Sequence, residues 1–530
     1  MTPSRPVDAP PPPPYRLVDY SYAVRNLELL GSMSSPDHWM HARLSALPAA
    51  TLQRMWGLFS SGEFGGIVEA VCDLHTLTGR AEHLALARLF DLDRLIDACA
   101  ANTDVLDGLH ANQHIPVFTG LVRLHDETGE ERYLTAAKNF WQMVVPHRMY
   151  GIGGTSSGEF WRARDVIAGT IGAATAETCC AYNMLKPIRT LFFHEQDPAY
   201  MDSYERALYN QVLGSKQDRP DTEKPLVTYF AGLTPGHVRD YTPKQGTTCC
   251  EGTGLESATK YQDSVYFAEA DASALYVNLY SPSALTWSAK GVTVTQTTRF
   301  PEEQGSTLTI GGGSASFTLL LRVPSWATAG FRVTVNGRAV PGTPVPGGRF
   351  GVSRTWRPGD TVRVLVPFRL RVERALDDPT LQTLFLGPVN LVARHPSTGL
   401  LRCALYSNAG LSGDLLPSLT PVSGKPLHHT LNGVEFAPFA EGTEDPTHAC
   451  FRRSEPRVIF GTSDSGVANP ARSDGVTLLD EIWAGAPFGS RVALVTRVRA
   501  TVSDWVSAGL LGGADGDKVV RTARNASYAP

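Results

Sequence analysis

A chain of 530 residues exceeds what one hydrophobic core serves, so roughly two to four domains are expected. Its 48 Lys plus Arg against 52 Asp plus Glu leave a formal charge of -4 with no long run of one sign, which speaks against a nucleic-acid or anionic-membrane partner. No apolar run approaches the ~18 residues a spanning helix needs.

In chain order, the opening MTPSRPVDAPPPPPYRL carries a proline run where a signal peptide would carry an apolar stretch, so residues 1–40 are expected to be a disordered leader and the chain cytoplasmic. Residues 41–275 read as helical. One pattern returns there, in DLHTLTGRAEHLALARLF, RLHDETGEERYLTAAKNF and TLFFHEQDPAYMDSYERAL: helix, short polar turn, helix. The turn glycines Gly79 and Gly129 set the period of a stacked helical-hairpin array or toroid. After about Tyr276 the period changes to two, as in GVTVTQTTRF and DTVRVLVPFRLRV, with Asn336-Gly337 as a tight hairpin turn. Two antiparallel β-sandwiches are expected, over 276–376 and 377–512, the strand pattern being weak from Ser407 to Asp474. The polar residues 513–530 read as a flexible tail.

Eight cysteines that include two adjacent pairs, Cys179 with Cys180 and Cys249 with Cys250, do not make a disulfide framework. TAETCCAYNMLK opens a helix near Thr178, and at such an irregular start Glu177 and Cys179 can turn to one side. With Cys249 and Cys250 of TTCCEGTGLES they make one carboxylate and three thiols, a set that suits zinc. The competing reading is that these are buried cysteines acting as small apolar residues. Glu159 follows a Gly-Gly and Ser-rich loop in YGIGGTSSGEFW, from which a carboxylate can reach into a cavity, or stand solvated. GLHANQHIP adds His110, Asn112 and His114 at a helix entry, where helix capping by Asn112 competes with a site role. Trp161, Tyr182 and Tyr229 are candidates for sugar-stacking walls or for core packing.

Together, EFGGIVEAVCDLHTLTG, DGLHANQHIP, GGTSSGEF, AETCCAYNMLK, YERALYN, CCEGTGLESATKYQDSVYF, LYVNLYSPSALTW and LLLRVPSWA resemble the β-L-arabinofuranosidases of glycoside hydrolase families 127 and 146, over roughly Leu44 to Pro367. The resemblance implies an (α/α)6-toroid-like catalytic domain followed by antiparallel β-sandwich domains, and a zinc-dependent retaining hydrolase that releases β-linked L-arabinofuranose from plant-type glycans. By position it implies Glu159 as acid/base, Glu177, Cys179, Cys249 and Cys250 as zinc ligands, Cys249 also as nucleophile, and His110 and Glu205 lining the sugar pocket.

Two departures stand out. Cys180 occupies a position where the family carries Asn. Only seven or eight helices can be counted between Pro48 and Val265 where a full toroid has twelve, which predicts an N-terminally incomplete ring and weak or absent activity unless a second subunit, as in a homodimer, covers the gap or the Pro-rich leader folds across it. The alternatives are a glycosidase for another pectin-type sugar, or an inactive zinc-containing carbohydrate-binding protein.

Overall fold

The computed structural model describes residues 5–6, 31–57, 64–217, 226–241, 248–406, 409–453 and 455–528. The disordered leader expected over 1–40 lies mostly outside the described residues; of it, Arg5–Pro6 pairs antiparallel with Phe267–Ala268, and residues 31–40 are structured rather than disordered, with Ser34 fully buried and Trp39 opening a helix.

Helical periodicity becomes a chain of helices: α1 (Trp39–Ala46), α2 (Ala49–Trp56), α3 (Ile67–Thr78), α4 (Ala81–Arg88), α5 (Asp93–Ala100), α6 (Ala111–Thr128), α7 (Glu131–Arg148), α8 (Thr178–His194), α9 (Pro198–Ala207) and α10 (Cys249–Glu256). Nine of these lie between Pro48 and Val265, more than the sequence count of seven or eight, because short helices such as α5 carry too few apolar positions to declare a period. The internal repeat holds in detail. Gly79 and Gly129 both end their helices in the left-handed conformation, at φ 69° and 71°, and donate back to His75 and His125. The helical core is made by Val71, Ile96, Ile115, Phe118, Phe140, Met184 and Leu191, with the Phe118 and Phe140 rings stacked at 3.7 Å.

The change to period two marks the first sandwich. Val292–Thr297 alternates buried and exposed along its length, as a strand with one wet face must. One sheet runs Tyr266–Ala268, Ala274–Val277, Ala315–Val323, Gly348–Trp356; the other runs Ser283–Trp287, Val292–Thr297, Gly305–Gly312, Thr361–Leu365, Arg332–Val335, Arg338–Ala339. Asn336 and Gly337, both with positive φ, turn the last hairpin. Leu370–Arg374, assigned by sequence to this sandwich, pairs instead with Leu381–Leu386 in the next sheet.

The second β-domain, expected as a sandwich over 377–512, is built differently from the first. It contains one nine-stranded sheet and a separate hairpin, Arg457–Phe460 with Ser463–Ala468, followed by α11 (Leu478–Trp483), α12 (Arg491–Ser507) and α13 (Gly513–Asn525). Strands of two to six residues carry too little alternation to read, which is why this stretch is faint in sequence. The expected flexible tail is α13, whose Val519 and Ala523 are fully buried against neighbouring elements. A helix this polar gains its stability from tertiary packing rather than from propensity.

The β-domains are fastened to the helical domain through α9 and the turn after it. Arg322, fully buried, pairs with Asp202 and Glu205 and donates to the Asn278 carbonyl at 2.6 Å. Arg206 pairs with Glu373, and Asn210 exchanges bonds with Pro388 and Asn390. Replacing Arg322 by alanine leaves a buried carboxylate unpaired, and is expected to cost about 3–5 kcal/mol of stability, read as a lower urea midpoint. A change below about 1 kcal/mol would show that the pair is not sealed from water.

Candidate metal and active site

Two helix beginnings meet here. Glu177 is the N-cap residue of α8, with Cys179 in its first turn; Cys249 and Cys250 open α10, whose N-terminus is closed by a reciprocal cap between Thr248 and Glu251. That cap is the T-x-x-E pattern of TCCE, a signal present in the sequence. Both helix dipoles therefore direct positive partial charge toward the same point, which favours thiolates and carboxylates.

Residues 72 positions apart in the chain now touch. One ligand atom from each of Glu177, Cys179, Cys249 and Cys250 lies within 4.8 Å of all the others. Cys179 Sγ is 3.2 Å from Cys250 Sγ, and Glu177 Oε1 is 3.7 and 3.8 Å from Cys249 and Cys250 Sγ. Ligands at ~2.0–2.3 Å from a tetrahedral ion fit such spacings, and one carboxylate with three sulfurs is a donor set for a borderline-soft divalent cation. The group could hold a metal ion.

Electrostatics point the same way. Burial pushes the Glu177 carboxyl up to about 8. Hydrogen bonds from the Cys179 and Cys250 thiols lower Cys249, while those same contacts raise Cys179 and Cys250. Of the three sulfurs, Cys249 is the one its neighbours favour as thiolate. Full deprotonation of three thiols and a buried carboxylate needs positive charge at their centre.

Glu177, Cys179 and Cys250 are at most 1 % exposed, whereas Cys249 faces solvent. On that open side Tyr229 stands between Cys249 and Glu159. Its hydroxyl donates to Glu159 Oε1 at 2.5 Å and is 3.6 Å from Cys249 Sγ. The two legs meet at one oxygen, so carboxylate and sulfur are no more than about 6 Å apart.

The sequence places Glu159 by a loop that only glycine permits. Gly153 has φ 96° and lies where a Cβ would be 2.5 Å from the Ala207 backbone; a Cβ on Gly154 would be 2.0 Å from Gln211 Oε1. The loop thus closes onto Gln211, in a π-helical turn, whose amide donates to the Ala176 and Glu177 carbonyls. Glu159 itself is held at φ 68°, an uncommon conformation for a residue with a side chain. The Glu159 carbonyl accepts from the Ala111 amide, which joins the loop to α6.

His110 is the cap of α6, the role the sequence reading gave to Asn112. Its Nδ1 accepts from the Gln113 amide at 3.3 Å, which puts the ring proton on Nε2, 3.4 Å from Glu159 Oε2. Asn112 instead accepts from the Asn183 side chain at 2.7 Å. Trp161 is fully buried and packs edge-on against Phe140, so it is core and not a wall of the site.

Glu205 departs from expectation. It is 1 % exposed, with its carboxylate taken by Arg322 and by the Trp326 indole at 2.7 Å. It lines an interdomain cavity of about 590 Å³ to which none of Glu159, Glu177, Cys179, Cys249 or Cys250 contributes. Its YERALYN motif serves the docking of the β-domains. One contributor escaped the sequence altogether: Asp377, from the second β-domain, accepts from the Ile167, Ala168 and Gly169 amides at 2.7–3.0 Å and ties down the segment following Glu159.

The chain is similar to known proteins of one family. A family profile described as the GH127 β-L-arabinofuranosidase catalytic domain matches residues 16–263, beginning inside the stretch expected to be a leader, and the GH127 middle-domain profile matches residues 274–368. The non-reducing end β-L-arabinofuranosidase of Bifidobacterium longum subsp. longum is 26% identical over 270 residues, a match spanning 48% of this chain and 40% of that relative's length. A solved GH127 β-arabinofuranosidase has 21% identity, covers 73% of this chain and 68% of its own, and superposes with a TM-score of 0.56. The GH127 β-L-arabinofuranosidase of Geobacillus stearothermophilus, also 21% identical, covers 77% and 75% with a TM-score of 0.55. The solved structures speak to the fold. Two profiles of one family, met in succession along the helical domain and the first sandwich, place this chain in glycoside hydrolase family 127.

Proposed function

We propose that the chain is a retaining glycoside hydrolase that releases β-linked L-arabinofuranose from plant-type glycans, with Cys249 as nucleophile, Glu159 as acid/base and zinc at Glu177, Cys179, Cys249 and Cys250. One observation carries the reading: of the four ligand residues only Cys249 is exposed, and it opens toward the Tyr229–Glu159 pair. A purely structural metal site needs neither an open ligand nor a carboxylic acid beside it.

When bound, zinc would keep the clustered thiols deprotonated at neutral pH and fix their positions. Glu159 gives its proton to the leaving oxygen as the bond from that oxygen to the anomeric carbon breaks and the Cys249 sulfur bonds to that carbon. The Glu159 carboxylate then takes a proton from water, whose oxygen displaces the sulfur. Retaining enzymes with two carboxylates hold them ~5 Å apart, a separation compatible with the bound set by the shared Tyr229 hydroxyl. His110 and Tyr229 direct N–H and O–H groups at Glu159 and orient it, and they border the space where a sugar would sit.

Metal analysis of the purified chain is expected to give one zinc per polypeptide. Chelation should abolish hydrolysis of an aryl β-L-arabinofuranoside and zinc should restore it. Zinc at one equivalent with no turnover of that substrate, or turnover indifferent to chelation, would defeat the assignment.

A further inference from the structure

Glu177 has two carboxylate oxygens, and they face different sulfurs. Oε1 faces Cys249 and Cys250. Oε2 accepts from the Cys180 thiol at 3.2 Å, three residues along the first turn of α8. Cys180 is fully buried, and it is not one of the four residues whose ligand atoms converge. It therefore meets the carboxylate at a different oxygen from Cys249 and Cys250.

We propose that Cys180 is a positioning residue for the metal centre: its S–H holds Glu177 Oε2, so that Oε1 alone is offered to the ion. The inference rests on the reading that the cluster binds zinc. Its physical basis is the freedom of a glutamate side chain. With Oε2 unheld, the carboxylate can rotate about its last bond or bring both oxygens to the metal, raising the coordination number and diluting the charge felt by each sulfur. A buried acceptor without a donor is also costly by itself. Partners of this kind, bonded to a ligand and not to the metal, typically change metal affinity by about 10- to 100-fold when removed. The contact is local in sequence, Glu177 and Cys180 lying at i and i+3 of a helix start, so it forms as soon as α8 does. The structure thereby gives a use to the second cysteine of the CC pair at 179–180, which the ligand set leaves out.

The test compares Cys180→Ala and Cys180→Val, which lack a donor, with Cys180→Ser, which keeps one of similar reach. Zinc affinity is measured by competition with a chromophoric chelator on the full chain. Alanine and valine are expected to weaken binding by about 10- to 100-fold, and serine to stay within about threefold of the parent. With cobalt(II) in place of zinc, the sulfur-to-cobalt charge-transfer band should keep its intensity in all three, because Cys180 donates to a ligand and is not one. Thermal unfolding of the metal-free variants identifies any that fails to fold, and the valine variant carries the comparison if alanine does. Equal loss in serine and alanine would assign Cys180 to packing, and a weaker charge-transfer band would make it a ligand; either result overturns the proposal. A parent chain that binds no zinc would overturn the metal reading itself, whereas a parent that binds zinc with variants that match it overturns only this inference.

Discussion

Replacing Cys249 by serine is expected to lower kcat on a β-L-arabinofuranoside by about 10³-fold or more, the scale on which loss of a covalent nucleophile is felt in other hydrolases. The reason is chemical and electrostatic together. A serine hydroxyl is scarcely ionised near neutral pH, whereas Cys249 is the sulfur that its neighbours lower, flanked by the Cys179 and Cys250 thiols at the N-terminus of α10. The substitution keeps the size of the side chain, so the cap of α10 by Thr248 and Glu251 should survive and the fold with it. The check is turnover measured beside zinc content. If the serine variant, loaded with zinc, keeps a tenth or more of the parent's kcat, Cys249 is not the nucleophile.

Glu159→Gln is expected to divide substrates by leaving group. For an alkyl or glycosyl leaving group, kcat/KM should fall by about 10²- to 10⁴-fold, the usual contribution of general acid catalysis. For an activated aryl glycoside, whose leaving oxygen needs no proton, kcat/KM should fall by less than about tenfold. Turnover of the aryl substrate should then show a burst, because the second half of the reaction has lost its base while the first has not. Glutamine preserves the acceptor for the Tyr229 hydroxyl, so the loop should keep its shape. Equal losses on both substrates would reduce Glu159 to a binding or loop-supporting group.

Much of the site was legible in the sequence because its pieces are local. GGTSSGE announces a loop that only glycine can thread, and the structure shows the reason in the closeness of Ala207 and Gln211 to Gly153 and Gly154. The two cysteine pairs announce themselves by rarity. The other four cysteines are buried, Cys72, Cys99 and Cys403 among apolar residues and Cys450 beside the Thr383 hydroxyl, and desolvation pushes their thiols up to about 11 or 12. For them the bland reading of a free cysteine holds.

The ion pair of Glu205, the loop contact of Asp377 and the helix capping by His110 were not legible, for a common reason. A carboxylate in YERALYN has the same composition whether it meets a sugar or an arginine; the partner here, Arg322, is 117 residues away on another domain. Asp377 acts on amides more than 200 residues earlier. His110 caps its helix because the chain enters α6 with extended dihedrals at that residue, two positions before the Asn112 that propensity would choose.

By itself the sequence determined the periodicities, and through them a helical domain followed by β-domains, the Gly79 and Gly129 helix ends, the Asn336-Gly337 turn and the identity of four ligand-type side chains. These follow from backbone sterics and from the alternation of apolar residues, which act over a few positions. Tertiary structure alone decided that Glu177 and Cys179 meet Cys249 and Cys250, that only Cys249 opens toward Tyr229 and Glu159, and that the polar segment from Gly513 to Asn525 is a packed helix. Such outcomes depend on which surfaces the elements bury against one another, and burial is set by the whole chain at once.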